Sequence, residues 1–379
     1  MMHPRIQVAP LGEWNGTMTS HDYDDDDDNP SAAAPATCTA SWAGRFNHDP
    51  VEPLLSSGLE DLVYFTKRDL LGKQVSPIKH VWELPAAKNI VRKQQEDGSW
   101  KPTRKRPASG VNYRLIETWR KTRVLVEQFQ FTKVHPTMRA AAEYILSCQT
   151  SEGDIRGILA NQYAPYYTGA ILYLLIKAGY ASDPRIEMGI EWLLHMRQDD
   201  GGWLIGSPGI QTRNDLRRAE INKLTSSKDR ETITAFDRTM PFSAAGTGMV
   251  LRAFSVHPRW HKAPETHQAA TLLKSKLFKR DNWRPYQHPD NWLRFQFPFW
   301  WTNLVSALDS LSLIGIPASD PSIKEAFDWL VGHQQEDGTW KLSYSRVHAN
   351  RENSKTRLQA YWVSLSICRI FKRFLQHHG

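Results

Sequence analysis

The chain has 379 residues, a net charge of +8 and three widely spaced cysteines, Cys38, Cys148 and Cys368. No apolar run approaches the roughly 18 residues that a membrane-spanning helix needs, and the cysteines form no pair typical of a disulfide framework or a Cys-rich zinc site. We therefore expect a soluble cytoplasmic protein whose basic surface allows peripheral contact with a membrane, and we expect no nucleic-acid partner and no cofactor.

Residues 1–55 are predicted to form a disordered arm. They carry two arginines against nine carboxylates, and the acidic run at 22–28 is followed by a stretch rich in Ala, Pro, Ser and Thr. Such a composition offers little apolar surface to bury. We therefore expect the folded domain to occupy residues 56–379.

A short motif, Gln-x-x-Gly-x-Trp, recurs along this domain. Three copies are clear, a fourth is degenerate and a fifth survives as Asp-Asn-Trp: Gln95–Trp100, Gln198–Trp203, Gln335–Trp340, Gln149–Ile155 and Asp281–Trp283. The glycine allows a sharp exit from a helix, the Trp can cover the helix end, and the Gln amide can reach free backbone groups there. These residues are therefore interpreted as structural staples.

Apolar periodicity predicts an amphipathic outer helix before each copy and a more apolar inner helix after it. Inner helices are predicted at 58–72, 114–131, 166–180, 242–256, 299–315 and 357–374, and outer helices at 78–95, 137–149, 185–198, 265–278 and 321–335. Asp183 and Asp320 are the expected N-caps of two outer helices, each before a proline. The charged segment 204–235 is predicted to be an inserted loop or lid. The pattern predicts an all-α fold, an α/α toroid that closes about six helical hairpins into a ring.

The repeated turns resemble those of the squalene-cyclase and protein-prenyltransferase superfamily, whose members share them on an α/α toroid. The resemblance covers roughly residues 57–375. Class II terpene cyclases of this superfamily protonate an alkene with the middle Asp of a D-x-D-D motif placed just after such a turn, but no segment after a turn matches it here. A literal match, Asp22–Asp25, lies in the acidic run of the arm, where chance explains it. Protein prenyltransferases hold zinc with an Asp-x-Cys pair that this chain lacks.

Two stretches at the predicted starts of inner helices, 153–168 and 292–301, concentrate polar and aromatic residues. Because these starts meet at one mouth of a toroid, we expect them to line the cavity, where aromatic faces could each stabilise a carbocation by about 0.5–2 kcal/mol. Asp154 is the first candidate proton donor and Asp309 the second. The predicted substrate-binding residues are Arg156, Asn161, Gln162, Tyr163, Tyr166, Tyr167, Arg294, Phe295, Phe299 and Trp300. Alternatively, Asp154 and Arg156 form a structural ion pair and the aromatic residues are core.

Three functions remain open from the sequence. The first is a terpene-cyclase-like protein that binds an isoprenoid or similar apolar chain in its cavity and cyclises it by protonation. The second is a non-catalytic toroid that binds a lipid or a partner protein. The third is a polysaccharide lyase or glycosidase, for which Asn161, Tyr163, His348 and Arg351 could supply the polar groups.

A metal site is not expected. His257, His261 and His267 have suggestive spacing, but they flank Pro258 and Pro264 and have no carboxylate fixed beside them.

Overall fold

The chain folds mainly into helices joined by turns and irregular segments over the part that a computed structural model describes, residues 40–103, 110–205, 237–283, 288–345 and 353–376. The helices are α1 Ala40–Ala43, α2 Glu52–Leu55, α3 Glu60–Phe65, α4 Lys79–Trp82, α5 Pro85–Val91, α6 Tyr113–Glu127, α7 Pro136–Ser147, α8 Pro165–Leu175, α9 Pro184–His195, α10 Ala244–Val256, α11 Pro264–Ser275, α12 Leu304–Ile314, α13 Pro321–Gly332 and α14 Ser354–Gln376. Wider π-helical turns, Thr66–Leu70 and Ile176–Tyr180, extend α3 and α8. No helix in these ranges is long and apolar enough to span a bilayer.

Six inner helices form a closed ring, which confirms the predicted all-α toroid. Helices α6, α8, α10, α12 and α14 each pack on the next, and α14 packs on α3. Between α3 and the end of α6, Gln128 Nε2 donates a hydrogen bond of 2.7 Å to Asp61 Oδ2, which completes the contacts around the ring. The inner helices are apolar because neighbours cover them on several sides: every residue of α8 from Pro165 to Leu175 is buried.

The outer helices α7, α9, α11 and α13 are amphipathic and begin with a proline, and in α7, α9 and α13 a capping side chain precedes that proline, as predicted for Asp183 and Asp320. Asp183 Oδ1 accepts from the backbone N–H of Arg185, and Asp320 Oδ1 accepts from that of Ser322. The helix predicted at 78–95 is instead two short helices, α4 and α5, that break before Pro85. The residue before a proline is disfavoured in helical conformation, which explains the break.

The repeated turns have one shared geometry. In the three clear copies, the indole nitrogens of Trp100, Trp203 and Trp340 donate to the carbonyl ten residues earlier at 2.7–2.9 Å, which ties the indole to the end of the outer helix. The Trp backbone N–H then donates to a Thr or Ser hydroxyl of the following inner helix. The turns therefore connect an outer helix to the inner helix after it, as the sequence predicts.

A second glutamine, one residue before the Gln of the motif, links the turn to the next outer segment in the first and last clear copies. Gln94 Nε2 donates to Gly98 O and to Thr137 O of α7, both at 2.9 Å. In the second clear copy the corresponding residue is Arg197, which donates to Gly201 O and to Gln268 of α11. A guanidinium and an amide thus fill the same position, because both offer N–H groups to a carbonyl.

The last turn corrects the predicted boundary of the N-terminal arm. Gln334 exchanges hydrogen bonds of 3.0 and 2.9 Å with the backbone N–H and carbonyl of His48. Trp42 is 1% exposed, and Phe46 packs on Trp340. Residues 40–55 therefore supply a sixth outer segment in the position that α7, α9 and α11 occupy at the other turns. Residues from 40 onward therefore belong to the folded unit, which extends N-terminal to the predicted start at residue 56, because α1 and α2 pack on α14.

Two other predictions concern segments outside the described residues: disorder at 1–39, and most of the inserted loop at 204–235. At the start of the latter, Leu204 and Ile205 are buried against the start of α10.

Candidate functional site

A cavity of about 490 Å³ lies at the centre of the ring, where the inner helices end. Glu127 is the last residue of α6, Val256 is the last of α10, and Leu313 lies in the last turn of α12. The lining combines an apolar and aromatic set with charged and polar residues: Tyr173, Val256, Phe297, Phe299 and Leu313; Asp69, Glu127, Lys177, Asp309, Arg369, Lys372 and Arg373; and Gln130, Ser366 and Gln376.

Ion pairs across neighbouring helices surround the entrance of this cavity. Asp69 binds Arg369 of α14 and, at 2.6 Å, its neighbour Arg68. Asp309 of α12 binds Arg373 of α14. Burial raises the pKa of Asp69, but the charges and hydrogen bonds of the two arginines outweigh it and hold the pKa below its usual range. These pairs join adjacent helices, and the pairs made by Asp69 favour the ionised form of that carboxylate.

Glu127 is the most enclosed carboxylate of the lining, with a side chain that is 2% exposed. Its Oε1 accepts from Lys177 Nζ at 2.8 Å and from Tyr173 OH at 2.7 Å, and Arg252 Nη2 lies 3.6 Å from its Oε2. Burial raises the pKa of Glu127, but the charges of Lys177 and Arg252 lower it by more, so the net shift is downward. Burial and the adjacent Glu127 raise the pKa of Tyr173 to about 12. Neither group is set to donate a proton at neutral pH.

Two arginines lie deeper in the ring. Arg252 is 3% exposed and stacks on Tyr173 and Phe299, with its guanidinium carbon 4.1 and 5.3 Å from the ring centroids. Arg123, one turn before Glu127 on α6, stacks on Trp300 at 4.4 Å. Burial and the charge of Arg252 lower the pKa of Arg123 to about 10. Arg123 therefore stays charged at neutral pH.

Asp154, the first predicted proton donor, lies in the degenerate turn rather than in the cavity lining. It occupies the position that Ser99 and Thr339 have in the clear copies, and it is 1% exposed. Arg156 binds both of its oxygens, with Nε–Oδ2 and Nη2–Oδ1 distances of 2.8 Å. A carboxylate buried in a turn needs such a partner. This placement corresponds to the structural ion pair that the sequence left open.

The other polar residues predicted beside Asp154 gather around its partner. Arg156 Nη1 donates to Asn161 Oδ1 at 3.2 Å, and its guanidinium stacks on Tyr163 at 4.7 Å. Tyr163 OH donates to Glu152 at 2.7 Å. Gln162 is half-buried next to them, with its backbone N–H bonded to Leu159 O. This cluster supports the turn and does not belong to the cavity lining.

The predicted aromatic mouth is packed rather than open. Trp119 contacts Trp300 and Tyr167 at centroid distances of 4.5 and 5.4 Å, and Tyr166 stacks on Trp301 at 6.3 Å. Large side chains therefore fill the ring where the inner helices start, and the cavity lies at the opposite ends of these helices. Of the predicted residues, Phe299 and Asp309 line it.

Arg294 and Phe295 lie on the outer side of the ring. Phe295 N donates to Leu342 O at 2.6 Å, and its ring packs on Trp329 of α13 and on Tyr344, while Arg294 is exposed. Their predicted position at the cavity is wrong, because the extended segment before α12 crosses from the outer layer to the centre between Phe295 and Phe297.

The three histidines serve a helix junction. His257 Nδ1 accepts from the backbone N–H of Arg259 at 3.2 Å, and His261 Nδ1 lies 3.0 Å from His257 O. His267 is exposed in the first turns of α11. Among the described residues, no group of three or more His, Cys, Asp or Glu side chains could hold a metal ion. His348 and Arg351, proposed for the lyase alternative, lie outside the described residues.

The chain shows weak similarity to known proteins. No family model matches the chain. A squalene–hopene cyclase from Bradyrhizobium diazoefficiens is 24% identical over 200 residues, which cover 49% of this chain and 26% of that enzyme. Over about half of its length, the chain is similar in sequence to this squalene–hopene cyclase. It spans about a quarter of the length of the relative that it matches.

Solved structures show the same kind of fold at low similarity. The type II terpene cyclase MstE from Scytonema has 12% identity and a TM-score of 0.31, covering 78% of this chain and 98% of its own. A polysaccharide lyase has 12% identity and a TM-score of 0.40, covering 80% and 85%. These likenesses concern the fold alone.

Sequence reasoning missed most of the cavity of this terpenoid-cyclase-like toroid, although a usable signal was present. Asp309 was found because it is a charged residue inside an apolar helix. The same rule singles out Lys177 after α8 and Arg252 within α10, whose other residues are almost all apolar. Reading each inner helix to its end would therefore have recovered the polar half of the lining.

Proposed function

We propose that the central cavity binds an apolar chain of the isoprenoid class. The observation that carries this proposal is the cavity itself, about 490 Å³ in volume, with Val256, Leu313, Phe297 and Phe299 in its wall. Ligand sites in proteins are concave, mostly apolar and of this size, and they contain a few convergent polar groups. The type II terpene cyclase named above is described with geranylgeranyl dihydroxybenzoate as its substrate, and a chain of this class is the ligand to test first.

In this proposal the cavity binds the apolar chain but does not protonate an alkene. Protonation of an alkene needs a neutral acid beside the substrate, whereas the pKa values of Asp69 and Glu127 lie below their usual ranges and Asp309 is paired with Arg373. Asp154 is held by Arg156 in a turn. The lowered pKa values of Asp69 and Glu127 and the arginine partners of Asp309 and Asp154 therefore support a ligand-binding role over the cyclase mechanism.

The first test is to identify what the purified protein carries and what it binds. Organic extracts of the protein are analysed by mass spectrometry, and geranylgeraniol is then titrated while tryptophan fluorescence is followed. Leu313→Trp places a large ring in the cavity wall and should weaken binding by at least about tenfold, because it removes volume that the chain needs. Leu358→Trp is the matched control, since Leu358 is 42% exposed and lies outside the cavity lining.

The outcomes separate the alternatives. Saturable binding that Leu313→Trp weakens and Leu358→Trp leaves intact supports the proposal. Absence of any bound chain and of any response to geranylgeraniol contradicts it. Formation of a cyclised product from squalene or geranylgeraniol would instead show that an acid operates in this ring, and the non-catalytic part of the proposal would be wrong.

A further inference from the structure

The innermost part of the site carries more positive charge than its carboxylate neutralises. At the entrance, Asp69 and Asp309 are matched by Arg369 and Arg373. Farther in, the single carboxylate of Glu127 is adjacent to Lys177 and Arg252, and Arg123 lies one helical turn away on the same helix. Among the described residues, Lys177, Arg252 and Arg123 thus all lie close to Glu127, and Asp309 is a second carboxylate that attracts Lys177.

The two deep arginines also have unmet hydrogen-bonding groups. In the part of the chain that the structure describes, Nε and Nη2 of Arg252 and Nε and Nη1 of Arg123 are buried without a hydrogen-bond acceptor. Arg252 Nη1 reaches only Phe299 O, at 3.4 Å. Buried N–H groups are almost always paired, with protein, water or a bound ion, because leaving them unpaired is costly.

Stacking on aromatic rings does not meet this need. Tyr173 and Phe299 contact the face of the Arg252 guanidinium, and Trp300 contacts that of Arg123. The N–H bonds of a guanidinium point outward in its plane, toward its edges, so an acceptor is still required there. Tyr173, Phe299 and Glu127 are contacts of Arg252 and also line the cavity, so Arg252 lies directly behind the lining.

We propose that the ligand of the central cavity ends in an oxyanion, a carboxylate or a phosphate, which is bound by Arg252 with support from Arg123 and Lys177. This inference rests on the proposed function and specifies the head group of the ligand. An oxyanion would supply acceptors to the unpaired guanidinium edges and offset the surplus charge, and arginine is suited to this task because its fork of donors matches such groups.

The test compares three ligands with the same chain and different heads: geranylgeraniol, geranylgeranoic acid and geranylgeranyl monophosphate. Each is titrated into the wild-type protein by calorimetry at low and moderate salt, below its critical micelle concentration. The two anions should bind about 10- to 100-fold more tightly than the alcohol, as expected for one or two charge-assisted hydrogen bonds. Their relative affinities distinguish a carboxylate head from a phosphate head.

Two variants locate the effect. Arg252→Gln should remove most of the preference for the anions and leave the affinity for the alcohol nearly unchanged, and Arg123→Gln should reduce the preference in part. Arg120→Gln is the matched control, because Arg120 lies on the same helix one turn earlier, is exposed and pairs with Glu117. Circular dichroism and melting confirm that each variant is folded, and if Arg252→Gln is not, Arg123→Gln and the wild-type comparison still decide.

Each result has a defined meaning. Equal affinity for all three ligands would refute the oxyanion site and leave the proposed function intact. A preference that survives both arginine substitutions would refute its location. If none of the three chains binds, the proposed function fails, and a titration with inorganic pyrophosphate then decides the anion site alone: saturable binding that is lost in Arg252→Gln supports it, and no binding refutes it.

Discussion

Gly338 of the last turn should be difficult to replace, because two separate energetic penalties act at this position. Its φ is +82°, a conformation that costs an L-residue about 1–2 kcal/mol. A Cβ added there would lie 2.1 Å from the carbonyl oxygen of Asp49, so the segment that closes the ring would have to move. Overpacking of this kind typically costs 1–3 kcal/mol. We therefore expect Gly338→Ala to lower the free energy of unfolding by about 2–5 kcal/mol.

Gly315→Ala separates the two penalties. Gly315 also has a positive φ, +88°, but a Cβ there meets nothing within 4 Å. This variant should therefore lose about 1–2 kcal/mol. Urea unfolding followed by circular dichroism measures both variants, and the comparison requires unchanged m-values. If the two glycine variants lose the same stability, residues 48–50 do not press against the last turn, and the sixth outer segment is wrongly placed.

Four further outcomes are expected. Trp340→Ala should cost about 3–5 kcal/mol, because the indole is fully buried and bonded to a carbonyl; a melting temperature equal to that of the wild type would contradict this structural role. Deletion of residues 1–38 should leave the melting temperature unchanged, whereas deletion of 1–50 should lower it, and equal melting of the two truncations would show that the closing segment contributes nothing. The pKa of Asp69 is lower in the folded protein, so its contribution to the free energy of unfolding is present above the unfolded pKa of about 4 and is lost as pH falls below that value. The difference in stability between the wild type and Asp69→Asn should therefore shrink between pH 6 and pH 3 in urea titrations. A constant difference would refute the assignment. Asp154→Asn should reduce stability and leave ligand affinity in the same titrations unchanged, and the reverse pattern would return this residue to the site.

The helical ring was predictable because its signals are local. The glycines of the turns need a positive φ, the prolines mark helix starts, and the apolar period separates inner from outer helices. The closing segment was missed for a physical reason: Trp42 and Phe46 are the few anchors in a stretch of polar and small residues, and their partners, such as Trp340, are almost 300 positions away. Composition cannot report a contact of that range.

The predicted aromatic mouth and the cavity lie at opposite ends of the ring, because openness is a property of packing. The local sequence does not tell whether Tyr167 or Trp300 lines an open cavity or fills the space with its ring. That depends on Trp119, which another helix contributes. Phe299 and Asp309 were found, since each departs from its surroundings in the sequence. Asp154 departs as well, but its partner Arg156 is two residues away and satisfies it locally.

The way in which the ring is closed has a consequence for folding. Asn47 and His48 bond to Val331 and Gln334 across 284 and 286 positions of the chain, so the last seam depends on highly non-local contacts. Such contacts form slowly, because a long stretch of chain must be ordered, at an entropic cost, before they stabilise the fold. During synthesis, helices α3 to α13 emerge before α14 and leave an open arc with an apolar edge at each end. In that interval the segment at 40–55 of one nascent chain could pair with α14 of another, which makes exchange of this segment between copies the expected misassembly of this protein.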